Sequence, residues 1–91
     1  MQESDKANIT KLSKTIGEII KQHRIAQDKS VYKISAETCM RKSTWLNVES
    51  GVDMRLSTLW KVAEGLDVDI ADLINELKLQ LGSDFTLSDF D

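Results

Sequence analysis

The sequence predicts an all-α domain of five helices. Three observations predict it. The 91 residues include no proline and four glycines, and aromatics make up 5%, which argues against a sandwich or barrel of short strands and turns. Apolar residues recur three and four apart in five separate segments, the repeat of a helix with one buried face. Capping residues and glycines fall at the ends of several of these segments, where helices start and stop. A chain of this length makes one domain, and it buries only about 60–65% of its unfolded surface, so the core is modest.

The first helix is expected from Ile9 to Ile25, with Ile9, Leu12, Ile16, Ile19 and Ile20 on one stripe. Residues 26–30, Ala-Gln-Asp-Lys-Ser, end it with turn chemistry, and Ser30 is placed to N-cap a second helix over 31–38. A third helix, 42–50, stops at Gly51, a natural left-handed C-terminal residue. The fourth, 56–65, places Leu56, Leu59, Ala63 and Leu66 toward the core. The fifth opens on Asp69 as N-cap with Asp72 three residues on, carries Ile70, Leu73, Ile74, Leu77 and Leu81, and ends at Gly82. Residues 1–8 are expected as a flexible N-terminal arm, 9–81 as the domain, and 82–91 as an acidic tail.

Helices two and three are short, adjacent and joined by a tight turn, which suggests a helix-turn-helix. The close crossing needs a small residue in the middle of helix two, and Ser35 is there. The turn needs a residue tolerant of positive φ, usually glycine, and Cys39 occupies that place. Trp45 and Val48, three apart, pin helix three to the core, and Ile34 anchors helix two.

The net charge of −3 conceals a polarity. Residues 6–61 carry eleven Lys/Arg against five Asp/Glu, residues 62–91 carry one against eight, and residues 1–5 add −2. A basic first two-thirds is compatible with a nucleic-acid partner despite the acidic total. One cysteine excludes an internal disulfide framework. With one histidine, one cysteine and no glycine-rich phosphate loop, the chain lacks the parts of an enzyme, and neither cofactor nor metal is expected. His23 reads as a surface or half-buried side chain, and Cys39 as a small turn residue; a redox-sensing thiol would need a lowered pKa. No apolar run suggests a signal peptide or membrane span, so a cytoplasmic protein is expected.

Cations cluster at two helix starts. Lys29 and Lys33 flank the start of helix two, and Arg41 and Lys42 open helix three. A helix N-terminus carries about half a positive charge, so cations there oppose the dipole by a few tenths of a kcal/mol. Helix five instead places Asp67, Asp69 and Asp72 at its start. The contrast points helices two and three at an external anion, with DNA phosphate the natural one.

The segment Ile16-Gly17-Glu18-Ile19-Ile20-Lys21-Gln22-His23-Arg24 resembles the first helix of the phage-repressor and Cro type of helix-turn-helix regulators. Ser43-Thr44-Trp45-Leu46-Asn47-Val48-Glu49-Ser50-Gly51 resembles that family's recognition helix with its Glu-x-Gly ending, and Leu59 to Leu73 resembles its closing pair of helices. The resemblance covers residues 16 to about 75 and implies a five-helix, lambda-repressor-like DNA-binding domain. It departs from the pattern at Cys39 for the turn glycine, Thr38 for an apolar residue, Arg41 for a Ser/Thr cap and Met54 for proline.

The resemblance implies that Lys42, Ser43 and Asn47 read bases. Lysine can donate to guanine O6/N7, and asparagine can pair bidentately with adenine. Leu46, on the same face, either touches a thymine methyl or packs against Met40 or helix two. Lys29, Ser30, Tyr32, Lys33, Arg41, Thr44 and Arg55 are the phosphate candidates. Arg24 and Glu49 match the family's structural ion pair. Trp60, off the main stripe of helix four, is expected at the edge of the core in preference to a subunit contact.

In helix five Ile70, Leu73 and Ile74 can close the core, while Leu77, Leu79 and Leu81 continue beyond it. With that surplus, residues 70–81, through Ile70, Leu73, Ile74, Leu77 and Leu81, are expected to form a homodimer interface. A two-fold dimer would set two recognition helices about 34 Å apart on a palindromic operator. The tail is expected to fray, to dock on helix five, or to contact another protein such as a polymerase. The resulting expectation is a dimeric, double-stranded-DNA-binding transcriptional regulator. The competing one is a protein-interaction module on the same scaffold, such as the antitoxin of a toxin–antitoxin pair.

Overall fold

The structure is a computed structural model that describes residues 3–87, with side chains from residue 6 onward. Those residues form five helices and no strand: α1 Glu3–Ala26, α2 Val31–Thr38, α3 Lys42–Ser50, α4 Leu56–Gly65 and α5 Ile70–Leu81. The chain is therefore all-α. None of these helices is long and apolar enough to cross a membrane.

α1 is the spine. It spans 24 residues, about 36 Å at 1.5 Å per residue. α3 packs against one part of it and α5 against another, while α2 and α4 close the layer behind α3. Ile16, Ile19 and Ile20 of α1, Ile34 of α2, Trp45 and Val48 of α3, Leu59, Val62 and Ala63 of α4, Leu66 just beyond it, and Leu73 and Leu77 of α5 form one buried cluster. Burying each large aliphatic side chain contributes about 1.5–3 kcal/mol before entropy is charged against it.

α1 begins at Glu3 instead of Ile9, so residues 3–8 are helix where the sequence suggested an arm. The extension has a partner. Asn8 Nδ2 donates to the Thr86 carbonyl at 3.0 Å, and the Lys11 ammonium lies 5.9 Å from the Phe85 ring centre. Residues 85–86 thus contact the start of α1, while Phe85 also shares a cleft with Leu79 and Leu81 at the end of α5. The rest of the tail, 88–91, lies outside the described residues.

The turns obey capping chemistry. Ser30 caps α2 by accepting from Lys33 N–H at 3.0 Å, and Asp69 caps α5 by accepting from Ala71 N–H at 2.8 Å. Cys39 sits at φ 57°, the left-handed geometry that the turn requires, and Gly51 ends α3 at φ 95°. Asp67, expected as an acid serving α5, instead takes φ 55° and closes α4. The Val68 N–H bond to the Ala63 carbonyl, 3.0 Å, completes that ending.

Two expectations about α4 and α5 need correction. Leu56 is not core: it is 72% exposed, and Val62 takes the inward position with Leu59 and Ala63. The proposed dimer face is largely spent inside the molecule. Leu73 and Leu77 are buried, and Ile70, Ile74 and Leu81 pack against the same cluster. α1 packs against α5 and supplies Ile16, Ile19 and Ile20 to that cluster. The apolar residue of α5 left outside is Leu79, 83% exposed.

Candidate nucleic-acid interface

Packing decides which side of α3 faces out. Trp45 and Val48 turn inward, three apart, and the Trp45 indole N–H donates to Thr38 Oγ1 at 3.1 Å. Thr38, at a position where an apolar residue was expected, is thus the partner a buried indole needs. The opposite side carries Lys42, Ser43, Leu46 and Asn47, all exposed. Leu46 is 49% exposed, too open to count as packed on Met40.

The start of α3 is electrostatically open. Arg41 is the N-cap residue and makes no side-chain capping bond, and no acid lies in the first turn. α4 repeats this with Arg55. Two helix starts therefore present free N–H groups beside cations, an arrangement suited to an anion. Arg41, Lys42, Lys33 and Arg55 are exposed. Tyr32 and Ser30 are exposed as well, although the Ser30 oxygen already accepts the α2 cap bond. Thr44 is half-buried and lines a shallow cleft with Asn47 and Arg55.

Lys29 behaves differently from the other cations. Its ammonium lies 2.7 Å from Glu37 Oε2. The Lys29 hydrogen bond holds the Glu37 carboxyl below its usual range. In this geometry Lys29 neutralises an acid of α2, so it is not a free phosphate donor. The sequence hid this because the two residues are eight apart, beyond the reach of one helical turn.

The orientation of α3 is fixed by Arg24 and Glu49. Arg24 Nε and Nη2 donate to the two carboxylate oxygens at 2.7 and 2.9 Å, and Nη1 donates to the Lys29 carbonyl at 2.7 Å. Both side chains are nearly buried, 12% and 8% exposed. Hydrogen bonding to Glu49 raises the guanidinium pKa above its ordinary value, so the arginine stays charged. One arginine thus ties α1, the loop before α2, and the end of α3 together.

Three positions escaped the sequence reading. A Cβ at Gly17 would collide with the Val48 carbonyl, so glycine lets α1 and α3 touch backbone to backbone. Lys14 packs over Gly51, where a Cβ would come within 2.6 Å of its Cγ. Val52 follows Gly51 on the surface and donates its N–H to Asn47, 3.0 Å. Gly17 and Lys14 depend on contacts between α1 and the end of α3, which no local pattern encodes.

No family model matches this chain, and no curated protein matches it.

Proposed function

We propose that the chain is a sequence-specific DNA-binding transcriptional regulator of the phage-repressor and Cro type. In this reading α2, the Cys39 turn and α3 form a lambda-repressor-like helix-turn-helix, with α3 in the major groove. The observation that carries it is the outer side of α3. Lys42, Ser43, Leu46 and Asn47 stand free beside a helix start that lacks an acid and a side-chain cap. Asn47 reads an adenine edge, Lys42 a guanine, and Leu46 a thymine methyl. Lys33, Arg41, Arg55, Thr44, Tyr32 and Ser30 hold the backbone.

Binding to a palindrome as a homodimer belongs to the same reading, since a second half-site raises a weak affinity. Its interface must lie outside the buried stripe of α5. The surface around Leu79 supports it, because this exposed residue and Phe85 line an open cleft of about 580 Å³.

Selection of bound duplexes from random DNA tests the reading. The expected product is a pseudo-palindrome with half-sites one helical turn apart. Asn47→Ala should relax preference at one base pair by about 1–3 kcal/mol, whereas Arg41→Gln should weaken all duplexes alike. Recovery of no enriched sequence at low salt would overturn it.

A further inference from the structure

α4 carries a second exposed surface, facing away from the core. Leu59, Val62 and Ala63 point inward, which leaves Leu56, Trp60 and Glu64 on one outer stripe, each one turn apart. Leu56 is 72% and Trp60 55% exposed, although the sequence suggested core and core edge. Trp60 forms a wall of a cleft of about 270 Å³ with Ala63, Glu64, Val68, Asp69 and Ile70. A second cleft shares Ala63, Glu64, Val68 and Asp69 and runs on to Asp67. The two make one groove between the end of α4 and the start of α5.

The charges around this groove select its occupant. Glu64, Asp67 and Asp69 are exposed, and none makes an ion pair among the described residues. Asp69 alone is partly engaged, as the cap of α5. The last turn of α4 holds no basic residue, so its carbonyl dipole adds to the negative potential. Lys61 is the neighbouring cation, one residue past Trp60 and hence about a quarter-turn round the helix. Nucleic acid and anionic lipid are repelled here. A two-fold contact with a second copy would bring like carboxylates together, a costly arrangement.

We propose that this groove docks a cationic segment of a partner protein, rich in lysine or arginine and carrying a large apolar side chain. The apolar group lies on Leu56 and Trp60, a cation stacks over the Trp60 ring, and a second cation meets Glu64 and Asp67. The proposal stands apart from the DNA reading, because no residue of the outer side of α3 takes part.

The indole signals of the isotope-labelled full chain test it. Trp45 is fully buried and donates to Thr38, whereas Trp60 is exposed, so the two N–H resonances report on separate places. Titration with a short synthetic peptide of leucine and arginine should shift Trp60 and the Glu64 and Asp69 amides saturably, leaving Trp45 in place. Trp60→Ala should weaken the peptide about fivefold, and Glu64→Lys about tenfold or more. Both positions are exposed, so melting temperatures should stay near that of the parent, and duplex binding should persist in Trp60→Ala. Equal shifts with a leucine–glutamate peptide would overturn the proposal, as would the lack of a saturable Trp60 shift. Trp60 shifts on concentrating the chain alone would replace the proposed partner with a second copy.

Discussion

Cys39 shows how one residue sets a local strain. At φ 57° its side chain meets the backbone crowding that glycine avoids, a cost of about 1–2 kcal/mol for an L residue. The thiol is exposed, and its backbone N–H closes α2 onto the Ala36 carbonyl. Cys39→Gly should therefore stabilise the fold by about 1 kcal/mol, less the entropy glycine adds to the unfolded chain. A thermal melt should rise by a few degrees, about 4–8 °C per kcal/mol in a domain of this size. Glu49 behaves in the opposite way. Glu49→Ala strands a nearly buried guanidinium with the Lys29 carbonyl as its remaining acceptor, and the loss should be about 3–5 kcal/mol. An unchanged melting midpoint in urea would refute this. The exposed Lys29–Glu37 pair makes a smaller, pH-dependent contribution. Glu37 is held below its unfolded pKa, so the pair stabilises above the ordinary carboxylate range and fades as pH falls through the folded value. Lys29→Gln should flatten that part of a stability–pH curve, at and below the ordinary carboxylate range.

At the scale of elements, α2 and α4 meet through a lock of three residues. A Cβ at Gly65 would strike the Thr38 methyl, and Thr38 Oγ1 in turn accepts from the Trp45 indole. Gly65→Ala should cost about 1–3 kcal/mol through overpacking. Thr38→Ser removes the methyl and keeps the oxygen, so the double variant should lose less than the two singles combined. A strictly additive double-mutant cycle would show that the methyl is not the obstacle. This lock marks the limit of what the sequence discloses. The helix ends were legible because Ser30, Asp69, Cys39 and Gly51 act within a few residues of themselves. The inward pairs Trp45–Val48 and Leu59–Ala63 were legible from spacing. Leu56, Gly17 and the early start of α1 were not, since each depends on what a distant element places against it. Leu77 misled for the same reason: an apolar stripe reports that it will be covered, not by what. The outer side of α3 was legible as a remainder once Trp45 and Val48 were assigned inward. The capture of Lys29 by Glu37 was not.

Over the whole molecule, charge is sorted by location. The exposed cations of α2, α3 and the loop before α4 and the exposed acids at the end of α4 and start of α5 fall on different elements. Such a separation gives the molecule an orientation in the field of a polyanion, so duplex binding should depend steeply on salt. The free cations set how steeply. Lys33, Arg41 and Arg55 are exposed and make no ion pair among the described residues. Three neutralised phosphates predict a slope of log K against log salt of about −2.7 for one copy and about −5.4 for two. Lys29 should contribute little, because Glu37 already satisfies it. Lys29→Gln should then leave the slope unchanged, while Glu37→Gln should release Lys29 and steepen it by about 0.9 per copy. Titrations of parent and both variants against one duplex over a range of salt concentrations measure all three values. A parent slope near zero would remove phosphate from the account. Loss of slope in Lys29→Gln would mean that the duplex displaces Glu37, giving Lys29 back to the interface.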